Sequence, residues 1–126
     1  MPTRRQEKVA RVIREVVSDV IANHLSDPRI TGFVSVTRVE VLADLRSAEV
    51  YLSIFAADDG AKERTLTAIT HARARIQSFL AGALESKFCP VLRFHEDEQF
   101  RKTLEVMKLI DQVASERQNQ DTDPQE

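Results

Sequence analysis

What the chain lacks narrows it quickly. Its single cysteine, Cys89, cannot form an intramolecular disulfide, and a reducing compartment is the simplest setting for it. There is no tryptophan, one tyrosine and six phenylalanines, several at apparent core positions. That is too few for the exposed aromatic sheet on which RNA-recognition motifs stack bases. No run approaches the ~20 apolar residues of a membrane span. Met1-Pro2-Thr3-Arg4-Arg5 opens an amphipathic helix, not the apolar stretch of a secretory signal. A cytoplasmic protein without membrane contact is expected. A strong surplus of positive charge is also missing, since the formal net charge is −2. Residues 115–126 carry four acids against Arg117 alone, a local −3, which leaves the preceding 114 residues at +1. Any polyanion would therefore be met by local patches, not by the overall field.

What is present fits one soluble domain. A chain of 126 residues, 42% hydrophobic and 30% charged, buries about two-thirds of its unfolded surface and needs no metal or disulfide staple. Residues 1–117 are assigned to a single domain and 118–126 to a disordered acidic tail.

Along the chain, Thr3 and Gln6 form a capping-box pattern. Val9, Val12, Ile13, Val16, Val17, Val20 and Ile21 then recur on one helix face, until Asp27-Pro28 stops it. Valine and isoleucine are mediocre helix formers, so packing must hold this helix. Phe33 to Val41 reads as a strand whose inward parity changes between Val34/Val36 and Val39/Val41. A bulge near Thr37-Arg38 would restore the inward face. Ala43-Asp44-Leu45-Arg46 is the turn, and Ala48 to Phe55 the second strand, with Val50, Leu52 and Ile54 on one side.

Asp58 or Asp59 can cap the next helix. Leu66, Ile69 and Ala72 mark its buried side, and Ile76, Phe79, Leu80, Ala83 and Leu84 continue it. Periodicity alone is compatible with one straight helix through Ala72-Arg73-Ala74. Cys89-Pro90 ends it, Val91 to His95 is a third strand, and Glu98 to Arg117 is helical, with Phe100, Leu104, Met107, Ile110 and Ala114 roughly in phase.

Two basic groups stand out. Arg4, Arg5, Lys8, Arg11 and Arg14 form the first, with Arg4, Lys8, Arg11 and Arg14 opposite the first helix's apolar stripe. Arg64, His71, Arg73 and Arg75, with Lys87 farther along, accompany the helical pair. Guanidinium forks bind phosphates bidentately, and small side chains near Ala74 would let a backbone approach RNA. Gln77 and Ser78 could add neutral hydrogen bonds. Solvated helix faces have the same composition, so residues alone leave both readings open. Arg29 and Arg46 sit in turns at strand ends, where each could touch RNA or solvate a loop; for Arg46 the loop reading is preferred. His95-Glu96-Asp97-Glu98 invites a metal or acid–base reading, but acids at a helix start also complement its dipole. Cys89 reads as a small hydrophobe. His24 and His71 lack a suitably spaced serine or cysteine partner. No catalytic residue, metal or cofactor is assigned.

The order helix–strand–strand–helix–helix–strand is that of an α+β, type II KH-like domain, here with an additional C-terminal helix. Several segments together resemble the ribosome-binding factor A family: Ser26-Asp27-Pro28-Arg29-Ile30, Val39-Glu40-Val41 with Asp44-Leu45, Ala48 to Ser53, and Pro90-Val91-Leu92-Arg93-Phe94. The resemblance implies a kink between the two helices at Ala72-Arg73-Ala74. Where the family has a glycine this chain has Ala74, which resists positive φ, so a shallower bend or a different local geometry is expected. It also implies a monomeric, non-enzymatic factor that binds the immature 30S subunit through 16S rRNA, assists maturation of the rRNA 5′ end, leaves before translation, and is associated with growth in the cold. On that reading Arg4, Arg5, Lys8, Arg11, Arg14, Arg29, Arg73, Arg75, Gln77, Ser78 and Lys87 bind RNA, with Ala72 and Ala74 at the kink. The near-neutral charge and extra helix keep a second class open, a non-enzymatic α/β protein-interaction module. A small hydrolase using His95 is the weakest alternative.

Overall fold

The computed structural model describes residues 2–84 and 89–121. Helix α1 (Arg4–Asn23) starts at the capping box: Gln6 N–H donates to Thr3 Oγ1 at 3.2 Å and Thr3 N–H to Gln6 Oε1 at 2.7 Å. Ile13, Val17, Val20 and Ile21 are its buried face. The helix ends at the His24 cap, before the proline, as the restriction on residues preceding proline requires.

Strands β1 (Phe33–Val41) and β2 (Ser47–Phe55) pair antiparallel, and β3 (Val91–Glu96) adds to β2 in parallel, giving the order β1-β2-β3. The β1–β2 register shifts between Val36 and Arg38. One extra residue there lets Val34 and Val36 share the inward face with Val39 and Val41, as the change of parity demands. The glycine-free hairpin turn is made by Leu45, which takes φ 60°. Such a left-handed residue costs on the order of 1 kcal/mol, offset here by the Leu45 N–H bond to Leu42 O and the Asp44 carboxylate accepting from Arg46 N–H. Gly32 (φ +74°) cannot be replaced so cheaply, because a Cβ would lie 1.9 Å from Phe55 O.

Asp58 caps α2 (Asp59–His71), accepting from Ala61 N–H at 2.7 Å. The helix breaks at Ala72, with φ −85° and ψ 6°, and α3 (Arg73–Ala83) restarts at once. Ala72 N–H donates to both Ala68 O and Ile69 O, and Ile76 N–H returns to Ala72 O. The kink is therefore one residue in the bridge region. It needs no positive φ, which is how a sequence without glycine accommodates it, and Ala74 lies exposed inside α3.

Ile13, Val17, Val50, Leu52, Ile69, Ile76, Leu80 and Leu92 are fully buried between the helical layer and the sheet. Two residues of the expected α3 core stripe depart from it. Phe79 is 39% exposed and Ala83 is exposed.

Helix α4 (Glu98–Asp121) is rooted by Asp97, whose carboxylate accepts from Phe100 N–H at 3.0 Å and from the Thr37 hydroxyl at 2.6 Å. Beyond Leu104 it leaves the body, and Val106, Met107, Leu109, Ile110 and Val113 are at least half exposed. The helix continues past Arg117, its expected end, to Asp121. Gln118, Asn119 and Gln120 offer no helix breaker before Pro124. Residues 118–121 of the expected disordered tail are thus helical, and 122–126 lie outside the described residues.

Candidate nucleic-acid interface

The helical layer presents its cations bare. Arg4, Lys8 and Arg11 are exposed on the side of α1 away from Ile13 and Val17, Arg5 is exposed at its N-terminal end, and Arg73 and Arg75 are exposed at the start of α3. Among the described residues, none of the six has a carboxylate within 4.0 Å. An unpaired guanidinium keeps all its donors for a ligand, whereas a paired one must first give up its partner.

Two contacts fix how these groups are distributed. The N-terminal end of α1 is tied to the end of β1, where Gln6 Nε2 donates to Val41 O at 3.0 Å. Its C-terminal end meets α3, where the His24 and Phe79 rings lie 4.7 Å apart. Arg4 and His24 are separated by about 30 Å of helix. The cations therefore form two groups: Arg4, Arg5, Lys8 and Arg11 toward one end of the layer, and the arginines after the kink toward the other.

The loop between α1 and β1 is fastened to the kink end. Thr65 is completely buried in α2; its hydroxyl lies within hydrogen-bonding distance of Ala61 O (2.8 Å) and Arg29 O (3.2 Å), and Thr31 N–H approaches it at 3.4 Å. This brings Arg29 beside His71, with Nη1 3.4 Å from the ring Nδ1, and beside Arg64 across a shallow groove. Arg29 differs from its neighbours because it is held by Asp27 through Nε and Nη2 at 2.7–3.2 Å. That guanidinium, together with the Arg29 N–H bond, lowers the Asp27 carboxyl to about 2, and the same hydrogen bond raises Arg29.

Other expected contacts are turned elsewhere. Arg14 Nη2 donates to Thr37 O at 2.7 Å and so lies along β1, apart from the other α1 cations. Gln77 faces inward: its Nε2 donates to Pro90 O at 3.3 Å and its Oε1 accepts from Leu92 N–H at 3.5 Å, which fastens α3 to the start of β3. Its amide is used for the fold, in place of the RNA contact expected of it. Ser78 is exposed on α3, and Lys87 lies outside the described residues. The residues of His95-Glu96-Asp97-Glu98 diverge: His95 bonds Glu49, Glu96 and Glu98 approach Arg101, and Asp97 caps α4. Burial pushes the Cys89 thiol up, away from thiolate.

The outer face of the sheet is built differently. Arg38 pairs with Glu40 at 3.4 Å and covers the Tyr51 ring at 4.0 Å. Arg93 and His95 share Glu49. At the root of α4, Arg101 lies within 3.5–4.0 Å of Glu96, Glu98 and Glu105, and these carboxylates raise its pKa.

Three comparisons bear on this geometry. A profile of the family described as Ribosome-binding factor A matches residues 5–110. A ribosome-binding factor A from Thermomicrobium roseum is 36% identical over 97% of this chain and 93% of its own length. Among solved structures, a Thermotoga maritima protein described as a putative ribosome binding factor A is 28% identical, covers 78% of this chain and 92% of its own, and superposes with a TM-score of 0.67. A Thermus thermophilus ribosome binding factor A homology model, fitted into a cryo-electron-microscopy map of a complex with the 30S subunit, is 25% identical with a TM-score of 0.54 over 75% of this chain and 93% of its own.

Proposed function

The chain belongs to the ribosome-binding factor A family, and from that premise we propose that it is a cytoplasmic assembly factor that acts as a monomer on the immature 30S subunit. It grips 16S rRNA with the bare cations of the helical layer and so assists maturation of the rRNA 5′ end. The observation that carries this reading is that Arg4, Arg5, Lys8, Arg11, Arg73 and Arg75 are exposed without carboxylate partners among the described residues, while the arginines of the opposite face are paired. The relative fitted into a 30S complex supports the choice of partner.

The mechanism is mass action on RNA conformations. A protein that binds one rRNA arrangement better than its competitors raises that arrangement's population, with no bond made or broken. Arg73 and Arg75 supply phosphate contacts beside the kink, where Ala72 and Ala74 keep bulk away from the backbone. The α1 group supplies a second anchor farther along the layer.

Cosedimentation with 30S subunits across a salt series tests this. For a handful of phosphate contacts the affinity falls steeply with salt, by about 0.7–0.9 in logarithmic slope per phosphate. A nearly flat response, or unchanged binding after charge reversal at Arg73 and Arg75, defeats the clamp. The exposed apolar side of α4 favours one addition to this reading, a protein contact on the sheet side. If Ile110→Glu leaves 30S binding intact, that contact is absent.

A further inference from the structure

We propose that Phe79 and His24 form a stacking platform for an unpaired RNA base beside the kink arginines. The inference rests on the reading that the helical layer meets RNA, and it adds a contact that charge alone does not provide.

Phe79 is anomalous on its helix. Its neighbours Ile76 and Leu80 are fully buried, whereas Phe79 is 39% exposed. Its ring meets His24 at 4.7 Å between centroids and a 31° tilt, a tilted stack of two exposed rings. His24 is not free to swing. Its Nε2 contacts Asp19 Oδ2 at 3.2 Å, and Asp19 Oδ1 also accepts from Asn23 Nδ2 at 2.8 Å. The carboxylate is thus engaged by both neighbours, and the imidazole is held against the phenyl ring.

The surroundings fit a nucleotide. Arg75 precedes Phe79 by four residues, so a bare guanidinium and the aromatic pair share one face of α3. Gly82 follows on the same face, and a Cβ built there would meet nothing within 4 Å. Among the described residues, that side of α3 is open at Gly82. Stacking accepts any base, because every base has a π face, but it requires the base to be unpaired. A cation for the phosphate and a ring for the base, one turn apart, is the chemistry of single-stranded RNA.

The chain has no tryptophan, so Phe79→Trp creates a sole reporter at the site. In the full chain its fluorescence should be quenched by a short oligouridylate and much less by an RNA duplex of equal charge. Phe79→Leu keeps apolar volume without the ring. It should weaken oligouridylate binding about 5- to 100-fold, the range of one base–aromatic stack, with the salt slope unchanged, while Phe79→Tyr binds as the parent does. Equal quenching by duplex, or full affinity in Phe79→Leu, overturns the platform. The clamp is judged separately: Arg73→Glu with Arg75→Glu should lower both affinity and salt slope. Weak binding by Phe79→Leu with intact binding by the double reversal would keep the stack and remove the clamp. Failure of the parent chain to bind either RNA would remove both.

Discussion

The helical layer and the outer face of the sheet carry the same residue type in two electrostatic states. On α1 and α3, Arg4, Arg5, Arg11, Arg73 and Arg75 are exposed with no acid of the described residues within 4.0 Å; on β1, β3 and the root of α4, each arginine is matched to a glutamate. The difference shows why the overall charge of −2 says little about nucleic-acid binding. Paired arginines are nearly silent toward a polyanion, since a phosphate must displace a carboxylate already in place. Unpaired ones release counterions on contact. A slightly acidic protein can thus present one adhesive face and one quiet face.

The largest expected effect breaks that asymmetry. Arg73→Glu with Arg75→Glu should weaken 30S binding by about 100-fold, from the loss of two charge-assisted contacts. Arg38→Glu with Arg93→Glu, the same charge change on the sheet, should leave cosedimentation within about threefold of the parent, as expected for groups worth little toward an outside ligand. Equal losses from both pairs would mean that the faces do not differ.

A second, smaller effect concerns how the adhesive face is assembled. Thr65→Val conserves shape but leaves Arg29 O without the buried hydroxyl and Thr31 N–H without its acceptor. Unfolding free energy should fall by about 1–3 kcal/mol, measured by urea denaturation. Arg29 should also lose its position beside His71, so 30S affinity drops while the salt slope from the other arginines is retained. A purely structural loss, with affinity intact in the folded fraction, would show that the loop's position is irrelevant to binding.

A third change sharpens the comparison from the quiet side. Glu49 engages both Arg93 and His95. Glu49→Gln should unmask a cation on the sheet and raise weak, sequence-independent RNA affinity about two- to threefold at low salt, an effect that vanishes as salt screens it. Filter binding with duplex RNA reads this directly. No gain would mean that pairing is not what silences the face.

The sequence carried much of this fold because the signals were local. Thr3 and Gln6 are three residues apart and their capping box is present. The parity change between Val36 and Val39 required a bulge, and the register shifts there. The bare cations of α1 follow from their phase against Ile13 and Val17. What was hidden depended on long-range partners. Arg14 finds Thr37 O from 23 residues away, and Gln77 is turned inward by Pro90 and Leu92, which no helical periodicity records. Phe79 occupies a core phase on α3, yet its ring meets His24 at the cap of α1 and stays 39% exposed. The Asp27–Arg29 pair was readable in principle, since an aspartate two residues before an arginine across a proline can accept from both its N–H and its guanidinium. On α4, an apolar stripe is left uncovered by the described residues, with Val106, Met107, Leu109, Ile110 and Val113 at least half exposed.

The smallest effect separates the two faces by pH. Asp97 lies on the sheet side, where the Thr37 hydroxyl and then Phe100 N–H favour its ionised form and lower its pKa. Asp27 lies on the helical side, lowered to about 2 chiefly by the Arg29 guanidinium. Both are carboxylates depressed on folding, so each stabilises fully above its unfolded value of about 3.9 and loses that contribution as pH falls through the folded one. Thermal stability should therefore be insensitive to these groups above about pH 5 and should decline from about pH 4 downward. The readouts differ by face. Asp97→Asn should loosen the root of α4, costing about 0.5–2 kcal/mol as lost helix caps do, and lower helical signal at neutral pH without altering RNA binding. Asp27→Asn frees Arg29 from its carboxylate, and should leave α4 intact while raising RNA affinity slightly at low salt. If Asp97→Asn weakened RNA binding as much as it loosened α4, the two faces would be coupled through the sheet, and the division of the molecule into an adhesive side and a quiet side would fail.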